Sequence, residues 1–131
     1  TIELGNRDKV MFTGQQHNPE DWMRAMDIFC LPSYANEGVP QAILQAMLTA
    51  LPIVTTPVGA ILDAVQDGES AMVVPPRDTV SLARAIGHQL DNPALAAQLG
   101  VEARHIANAN FSHERMLDRM TGIFRTAMER G

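Results

Sequence analysis

A carboxylate, a glycine and a proline lie close together in one short loop, which is the best candidate for a binding site in this sequence. Glu37 precedes Gly38, Val39 and Pro40, and an apolar, helix-like segment follows. A helix N-terminus offers backbone N–H groups and a partial positive charge to an anionic or hydroxyl-rich ligand. Gly38 lacks the side chain that would keep a ligand away from the backbone. The Glu37 carboxylate can accept hydrogen bonds from sugar hydroxyls or stabilise a developing positive charge. The pattern therefore predicts a site for a polar small molecule.

Two further features could contribute to such a site. Gln45 belongs to a polar stripe on the predicted helix, about one and a half turns from its start. A second loop, at residues 55–60, carries two threonine hydroxyls and Gly59, a composition that suits a phosphate or diphosphate. Taken alone, both loops also fit ordinary connections between a strand and a helix, because Glu-Gly-x-Pro is common in surface turns.

The elements that must position these residues alternate between strands and helices. Apolar or β-branched runs predict four strands, at residues 10–13, 27–31, 52–56 and 71–74. Asn18 and Pro19 predict a helix start after the first strand, and residues 39–50 predict a helix after the second. The runs are continuous rather than alternating, which favours a parallel sheet covered by helices on both faces. Ligands of such sheets bind beyond the carboxyl ends of the strands.

The helix of residues 39–50 should be amphipathic. At about 100° per residue, its apolar face contains Ile43, Leu44, Met47, Leu48 and Leu51, beside a polar stripe of Gln41, Gln45 and Thr49. From Asp78 onward the pattern predicts helices only, opened by Asp78, by Asn92 with Pro93, and by Ser112. We expect one partial α/β domain over residues 1–131, with the α/β part at about 9–78 and a helical tail at about 79–131.

Composition argues against several classes of function. The net charge is −5 and Lys9 is the only lysine, so no basic stripe is available for nucleic acid. No apolar run reaches the roughly 20 residues that span a bilayer, and the sequence starts without a signal-peptide pattern. Cys30 lies in an apolar run, which favours a buried structural role over a nucleophile. The four histidines lack metal-ligand spacing, so we expect no metal site. These residues are His17, His88, His105 and His113.

Taken together and in order, the motifs resemble the C-terminal domain of glycosyltransferase family 4, a large family of retaining enzymes with the GT-B fold. The resemblance covers essentially the whole chain from Val10. It rests on residues 12–14, 25–33, 37–40, 46–47, 51–56, 59, 67–68, 73–78 and 111–116. The fold it implies is a Rossmann-like parallel sheet with flanking helices and a helical C-terminal tail, as in a truncated GT-B C-terminal domain.

The resemblance also implies a chemistry. A nucleotide diphosphate sugar would be held between two Rossmann-like domains, and the sugar would be transferred with retention of configuration, without cofactor or dedicated metal. Glu37 would be the catalytic carboxylate near the transferred sugar, and the backbone of Gly38, Val39 and Pro40 would contact its hydroxyls. Position 45 would bind the ribose. The family has glutamate there, whereas Gln45 can accept and donate hydrogen bonds but lacks a charge.

The family's N-terminal acceptor domain, and the basic residues that neutralise the donor diphosphate, have no counterpart in this sequence. Because such charges normally supply the largest catalytic term, we expect a fragment that is inactive alone. The resemblance implies a cytoplasmic enzyme, with peripheral contact at the inner face of the membrane. It would act on an acceptor sugar or lipid-linked glycan, in bacterial cell-surface polysaccharide or glycoconjugate synthesis. Two alternatives stay open: a non-catalytic binding module derived from GT-B, and a nucleotide-sugar isomerase of that fold.

Overall fold

A parallel sheet of three strands lies at the centre of the computed structural model, which describes residues 5, 7–35, 38–112, 114–115, 120–122 and 125. The strands are β1 (Phe29–Leu31), β2 (Ile53–Thr55) and β3 (Met72–Val73), in the spatial order β1-β2-β3. Cys30 pairs with Val54, and Val54 pairs with Met72. Since all three strands run in the same direction, their carboxyl ends share one edge, as the continuous apolar runs predicted.

Four α-helices with described bounds pack around the sheet. They are α1 (Pro19–Arg24), α2 (Gln41–Leu48), α3 (Thr79–Asp91) and α4 (Pro93–Asn110), and short 3₁₀ turns occur at Arg7–Lys9 and Ile61–Asp63. The predicted cap of α3 is confirmed, because the Asp78 carboxylate accepts a hydrogen bond of 2.9 Å from the Ser81 backbone N–H. The predicted start of α1 at Pro19 is also confirmed, with Asn18 as the N-cap residue, but the Asn18 side chain makes no cap hydrogen bond.

The end of the helical tail is described only in part. The described residues after Ser112 are helical, as predicted, and the Ser112 hydroxyl accepts a hydrogen bond from the Arg115 backbone N–H. Of the apolar residues expected on this last helix, Met120 is exposed. Leu117, Phe124 and Met128 lie outside the described residues.

The strand predicted at residues 10–13 does not form. These residues have no regular secondary structure, and Met11 and Phe12 are 80% and 85% exposed. A short β-prone run becomes a strand only when a neighbour completes its hydrogen-bond ladder and covers its side chains. The sheet of the described residues contains β1, β2 and β3 alone, and none of them pairs with this segment.

The core lies on both faces of the sheet. On one face, α2 packs against β2 and α4 packs against α2, through fully buried side chains that include Ile43, Met47, Ile53 and Ala103. On the other face, α3 packs through Val54, Val74 and Ala85. Ile53 and Val54 are consecutive, so their side chains point to opposite faces. The central strand is therefore buried on both sides, which is why its sequence is apolar without alternation.

The buried face of α2 is turned from the predicted one. Leu48, expected in the core, is 51% exposed, whereas Ala46, outside the expected apolar face, is fully buried. The reason is the close packing of α4, which brings Ala103 and Ala107 into the same cluster as Ala46. The next contact along α4 is closer still: a Cβ added to Gly100 would lie 2.1 Å from the Ala50 carbonyl oxygen. The α4 backbone therefore touches the end of α2 directly.

Candidate functional site

The loops after the three strands meet at the carboxyl edge of the sheet, where open α/β sheets bind their ligands. The loop after β1 leads to α2, the loop after β2 leads to the 3₁₀ turn Ile61–Asp63, and the loop after β3 leads to α3. A cavity of about 200 Å³ opens at this edge and is lined by residues from all three loops, including Pro32, Thr56 and Pro75. The topology therefore brings together segments that are far apart in sequence.

Two buried threonines hold the first two loops together. The Thr55 hydroxyl donates a hydrogen bond of 2.9 Å to the Leu31 carbonyl, and the Thr56 hydroxyl donates one of 2.6 Å to the Ser33 carbonyl. Both threonines are at most 1% exposed. The prediction that these hydroxyls bind a phosphate is therefore wrong, since their protons already bridge to the neighbouring backbone. They position the start of the loop that leads to α2.

The structure places Gly38, Val39 and Pro40 directly before α2. Gly38 is exposed, and a Cβ added there would meet no atom within 4 Å. Val39 is half-buried and packs against the core. Pro40 is the N-cap residue of α2, and its carbonyl accepts hydrogen bonds of 3.1 and 3.3 Å from the amides of Ile43 and Leu44. Glu37, the predicted catalytic residue, lies outside the described residues.

The start of α2 presents polar groups without partners. Among the described residues, none accepts a hydrogen bond from the backbone amide of Gln41 or Ala42. Gln45 follows one turn later and is half-buried. Its backbone carbonyl accepts a hydrogen bond from the Thr49 hydroxyl, but its side-chain amide bonds to no described residue. These N–H groups and the Gln45 amide are therefore available to a hydroxyl-rich or anionic ligand.

Two residues at the same edge were not predicted as site residues from the sequence. The guanidinium carbon of Arg77 lies 5.1 Å from the centre of the Tyr34 ring, and both side chains are exposed. Tyr34 follows β1 and Arg77 follows β3. Their only signal in the sequence was their position just after predicted strands. Beside Arg77, hydrogen bonds from the Ser81 hydroxyl and backbone N–H lower the pKa of Asp78.

Other candidates for chemistry are accounted for by packing or exposure. Cys30 is half-buried beside Val54, and burial raises the pKa of its thiol, which disfavours the nucleophilic thiolate. His17, His88 and His105 are exposed, and His113 lies outside the described residues. Within the described ranges, no three His, Cys, Asp or Glu side chains are grouped so that they could hold a metal. No helix in those ranges is long and apolar enough to cross a membrane.

Several sequence relatives of this chain are named as glycosyltransferases. A lipopolysaccharide core biosynthesis mannosyltransferase, LpcC, of Rhizobium leguminosarum bv. viciae is 29% identical over 127 residues, which is 97% of this chain and 36% of that protein. A D-inositol 3-phosphate glycosyltransferase of Streptomyces avermitilis is 34% identical over 105 residues, covering 78% of this chain and 22% of that protein. The chain thus spans about a third or less of the length of these relatives.

Solved structures have the same fold. Sucrose-phosphate synthase of Thermosynechococcus elongatus matches 99% of this chain with a TM-score of 0.89 and 30% identity, over 33% of its own length. The HepE protein of Anabaena in complex with UDP matches 95% with a TM-score of 0.92, over 34% of its length, but at 23% identity it shows the fold alone.

These matches confirm the expected fold, because the parallel sheet with its flanking helices is that of the C-terminal domains of GT-B glycosyltransferases. The family model described as glycosyl transferases group 1 matches residues 1–92, about 70% of the chain. The chain therefore belongs to the glycosyl transferases group 1 family.

Proposed function

We propose that this chain is the donor-binding part of a retaining, metal-independent glycosyltransferase of family 4. The observation that carries the proposal is the start of α2 at the carboxyl edge of the sheet. There the backbone amides of Gln41 and Ala42 and the side-chain amide of Gln45, which have no partner among the described residues, follow an open glycine, Gly38. In a chain of the glycosyltransferase family, such a cluster suits a nucleotide diphosphate sugar, bound without cofactor or metal.

The transferred sugar would lie against the loop that precedes α2. Packing does not require glycine at position 38, because a Cβ there would point into open space. A ligand that approaches the backbone explains the missing side chain. Val39 is anchored in the core and Pro40 begins the helix, so the backbone of this loop is held in place for the sugar hydroxyls. We assign the catalytic role to Glu37, whose negative charge would stabilise an oxocarbenium-like centre.

Gln45 would bind the ribose of the donor. Its amide can accept a hydrogen bond from one ribose hydroxyl and donate one to the other. Two such neutral bonds are weaker than those of a carboxylate, because a charged acceptor roughly doubles the strength of a hydrogen bond. We therefore expect donor binding that is modest, but still dependent on the ribose.

The rest of the reaction belongs to the whole protein. The relatives are longer than this chain, and we assign most of the acceptor binding and most of the neutralisation of the leaving diphosphate to the regions that match the rest of their length. The acceptor would be a sugar or lipid-linked glycan of a bacterial surface polysaccharide or glycoconjugate, which the lipopolysaccharide role of the LpcC relative supports. The protein would act in the cytoplasm, in peripheral contact with the membrane, and this chain alone would be inactive.

A non-catalytic binding module is the second candidate. It is favoured by one observation, the neutral Gln45 at the position where the family resemblance expects a ribose-binding glutamate. Such a module would keep nucleotide binding and lose transfer, whereas an enzyme keeps both.

The test is sugar transfer by the full-length protein from a panel of nucleotide sugars. We expect transfer from at least one donor, retention of anomeric configuration in the product by NMR, and a fall of about a hundredfold or more in kcat with Glu37→Ala. Glu69→Ala is the matched control, because Glu69 is an exposed carboxylate in the turn before β3, at the other edge of the sheet. A Glu37→Ala protein as fast as wild type would contradict the assigned site. Nucleotide binding without any transfer would favour the binding module.

A further inference from the structure

Arg77 adopts a backbone conformation that arginine rarely adopts. Its φ is 62°, in the left-handed region, where the Cβ of an L-residue crowds the neighbouring backbone. Glycine would fit this position without strain. An exposed arginine kept in such a conformation, at the ligand-binding edge of a sheet, suggests a role for the side chain itself.

The Tyr34 ring holds the Arg77 side chain in place. The guanidinium carbon lies 5.1 Å from the ring centre, within the range of a cation–π contact. A guanidinium that lies over an aromatic ring in a cation–π contact can still donate hydrogen bonds from its N–H groups. Asp78 is the adjacent carboxylate, but its two oxygens accept hydrogen bonds of 2.9 and 2.6 Å from the Ser81 backbone and hydroxyl. Within the described ranges, Arg77 forms no ion pair.

A cavity adjoins Tyr34 and Arg77. Its volume is about 200 Å³, enough for a single sugar ring, and its apolar walls include Pro32, Val74, Pro75 and Leu82. Thr56 also lines it, with its hydroxyl proton already donated to Ser33. Arg77 is therefore the lining residue that can donate several hydrogen bonds to a ligand. Asp78 lines the cavity as well, but both of its carboxylate oxygens accept hydrogen bonds from Ser81. A mainly apolar cavity with a few polar groups is typical of small-molecule sites.

We propose that Arg77 and Tyr34 form an anion-binding subsite for a sugar that carries a phosphate or a carboxylate. The guanidinium fork would bind the anion through two parallel hydrogen bonds, and the sugar ring would occupy the adjoining cavity. This inference rests on the proposed function, because it concerns a substrate of the same edge. Two substrates offer this chemistry: the donor, through its diphosphate, and an acceptor that contains an acidic or phosphorylated sugar.

The test is calorimetric binding to the full-length protein, with glucose 6-phosphate, glucuronate and uncharged glucose as probes. We expect the two anionic probes to bind at least tenfold more tightly than glucose. Arg77→Gly should abolish this difference and keep the fold, because glycine suits the left-handed backbone. Arg77→Lys should keep only part of it, since an ammonium group lacks the fork. Arg104→Ala, an exposed arginine on α4, is the control and should change nothing.

Tyrosine variants test the stacking. Tyr34→Phe should preserve the preference for anionic probes, and Tyr34→Ala should reduce it, because the ring is the partner of the guanidinium among the described residues. The proposal is overturned if wild-type protein binds glucose as tightly as the anionic probes, or if Arg77→Gly leaves the preference intact.

Binding of UDP and GDP shows whether the anion belongs to the donor or to the acceptor. It also distinguishes failure of the subsite from failure of the proposed function. If Arg77→Gly weakens nucleotide binding as much as probe binding, the subsite holds the donor diphosphate; if nucleotide binding is unchanged, it holds an anionic acceptor sugar. A protein that prefers anionic probes through Arg77 but binds no nucleotide would contradict the proposed function and leave the subsite standing. If the protein instead binds nucleotides but shows no Arg77-dependent preference for anionic probes over glucose, the subsite is overturned and the proposed function stands.

Discussion

The Thr56 hydroxyl donates a hydrogen bond of 2.6 Å to the main-chain carbonyl of Ser33, across the carboxyl edge of the sheet. Thr56 is 1% exposed, so this bond is shielded from water. Ser33 begins the loop that leads to Gly38 and then to Gln45 on α2. The bond therefore fixes the start of the segment that carries the candidate site.

Thr56→Val should weaken both stability and donor binding. The substitution keeps the side-chain shape and removes the hydroxyl, so we expect the free energy of unfolding to fall by about 1 kcal/mol. Because the loop after β1 loses its anchor, UDP or GDP should bind several-fold more weakly to the full-length protein. Urea unfolding and calorimetric titration measure the two effects.

Thr55→Val is the matched control for this substitution. The Thr55 hydroxyl bonds to the Leu31 carbonyl at 2.9 Å, inside the paired strands rather than in the loop. It should cost similar stability and leave nucleotide affinity unchanged. Equal losses of affinity in both variants would show that the Thr56 bond has no special part in positioning the site.

Gly100→Ala should strongly destabilise the protein, because its Cβ would lie 2.1 Å from the Ala50 carbonyl oxygen and the α4 backbone would have to move. Overpacking of this kind costs about 3 kcal/mol. Gly87→Ala on α3 is the control, since a Cβ there meets nothing within 4 Å; better helix propensity should raise stability by up to about 1 kcal/mol. Urea unfolding distinguishes them, and the same shift in both variants would contradict the close contact.

Local sequence patterns predicted the parts of the fold that local physics decides. The continuous apolar runs predicted β1, β2 and β3 and their parallel arrangement. Asp78 was predicted as a helix cap from its residue type and position, and such a cap needs only a partner within one turn, here Ser81. Residues 10–13 failed as a strand because pairing depends on a neighbour that a propensity does not reveal. Leu48 failed as a core residue because the position of α4 decides which face of α2 is buried.

The candidate site also contains residues that the sequence predicts and contacts that depend on the tertiary structure. Gly38, Val39, Pro40 and Gln45 were predicted from one short stretch of sequence, and the structure places the first three directly before α2 and Gln45 on it. Whether they bind a donor stays a prediction. The direction of the Thr55 and Thr56 hydroxyls was mistaken because it depends on the register of β1 with β2. The Tyr34 and Arg77 contact was missed because it joins loops after non-adjacent strands.

The lowered pKa of Asp78 should make stability depend on pH in the acid range. The Ser81 hydroxyl is the main cause, followed by the Ser81 backbone N–H. A folded-state pKa below the unfolded value of about 3.9 means that the carboxylate stabilises the fold above that pH. This stabilisation should be lost as the pH falls through the lower, folded-state pKa. Carbon-13 NMR titration of the Asp78 carboxyl and urea midpoints at several acid pH values measure both effects.

Ser81 variants isolate the cause of this pH dependence. Ser81→Ala should move the pKa of Asp78 back toward its usual value and reduce the loss of stability in acid. Ser81→Thr keeps the hydroxyl and should preserve the lowered pKa. If Ser81→Ala left the Asp78 titration where it is, the hydroxyl could not be its main cause.

Gln45→Glu should tighten nucleotide binding. A carboxylate forms charge-assisted hydrogen bonds with ribose hydroxyls, worth about 1 kcal/mol more than those of an amide, so UDP or GDP should bind about fivefold more tightly. The gain should vanish with 2′-deoxy nucleotides, which lack one of the two hydroxyls. Gln41→Glu is the control, since it adds the same charge to an exposed residue of α2 one turn earlier and should bring no ribose-dependent gain. If Gln45→Glu instead weakened binding, or helped ribose and deoxyribose nucleotides equally, Gln45 would not be the residue that holds the ribose.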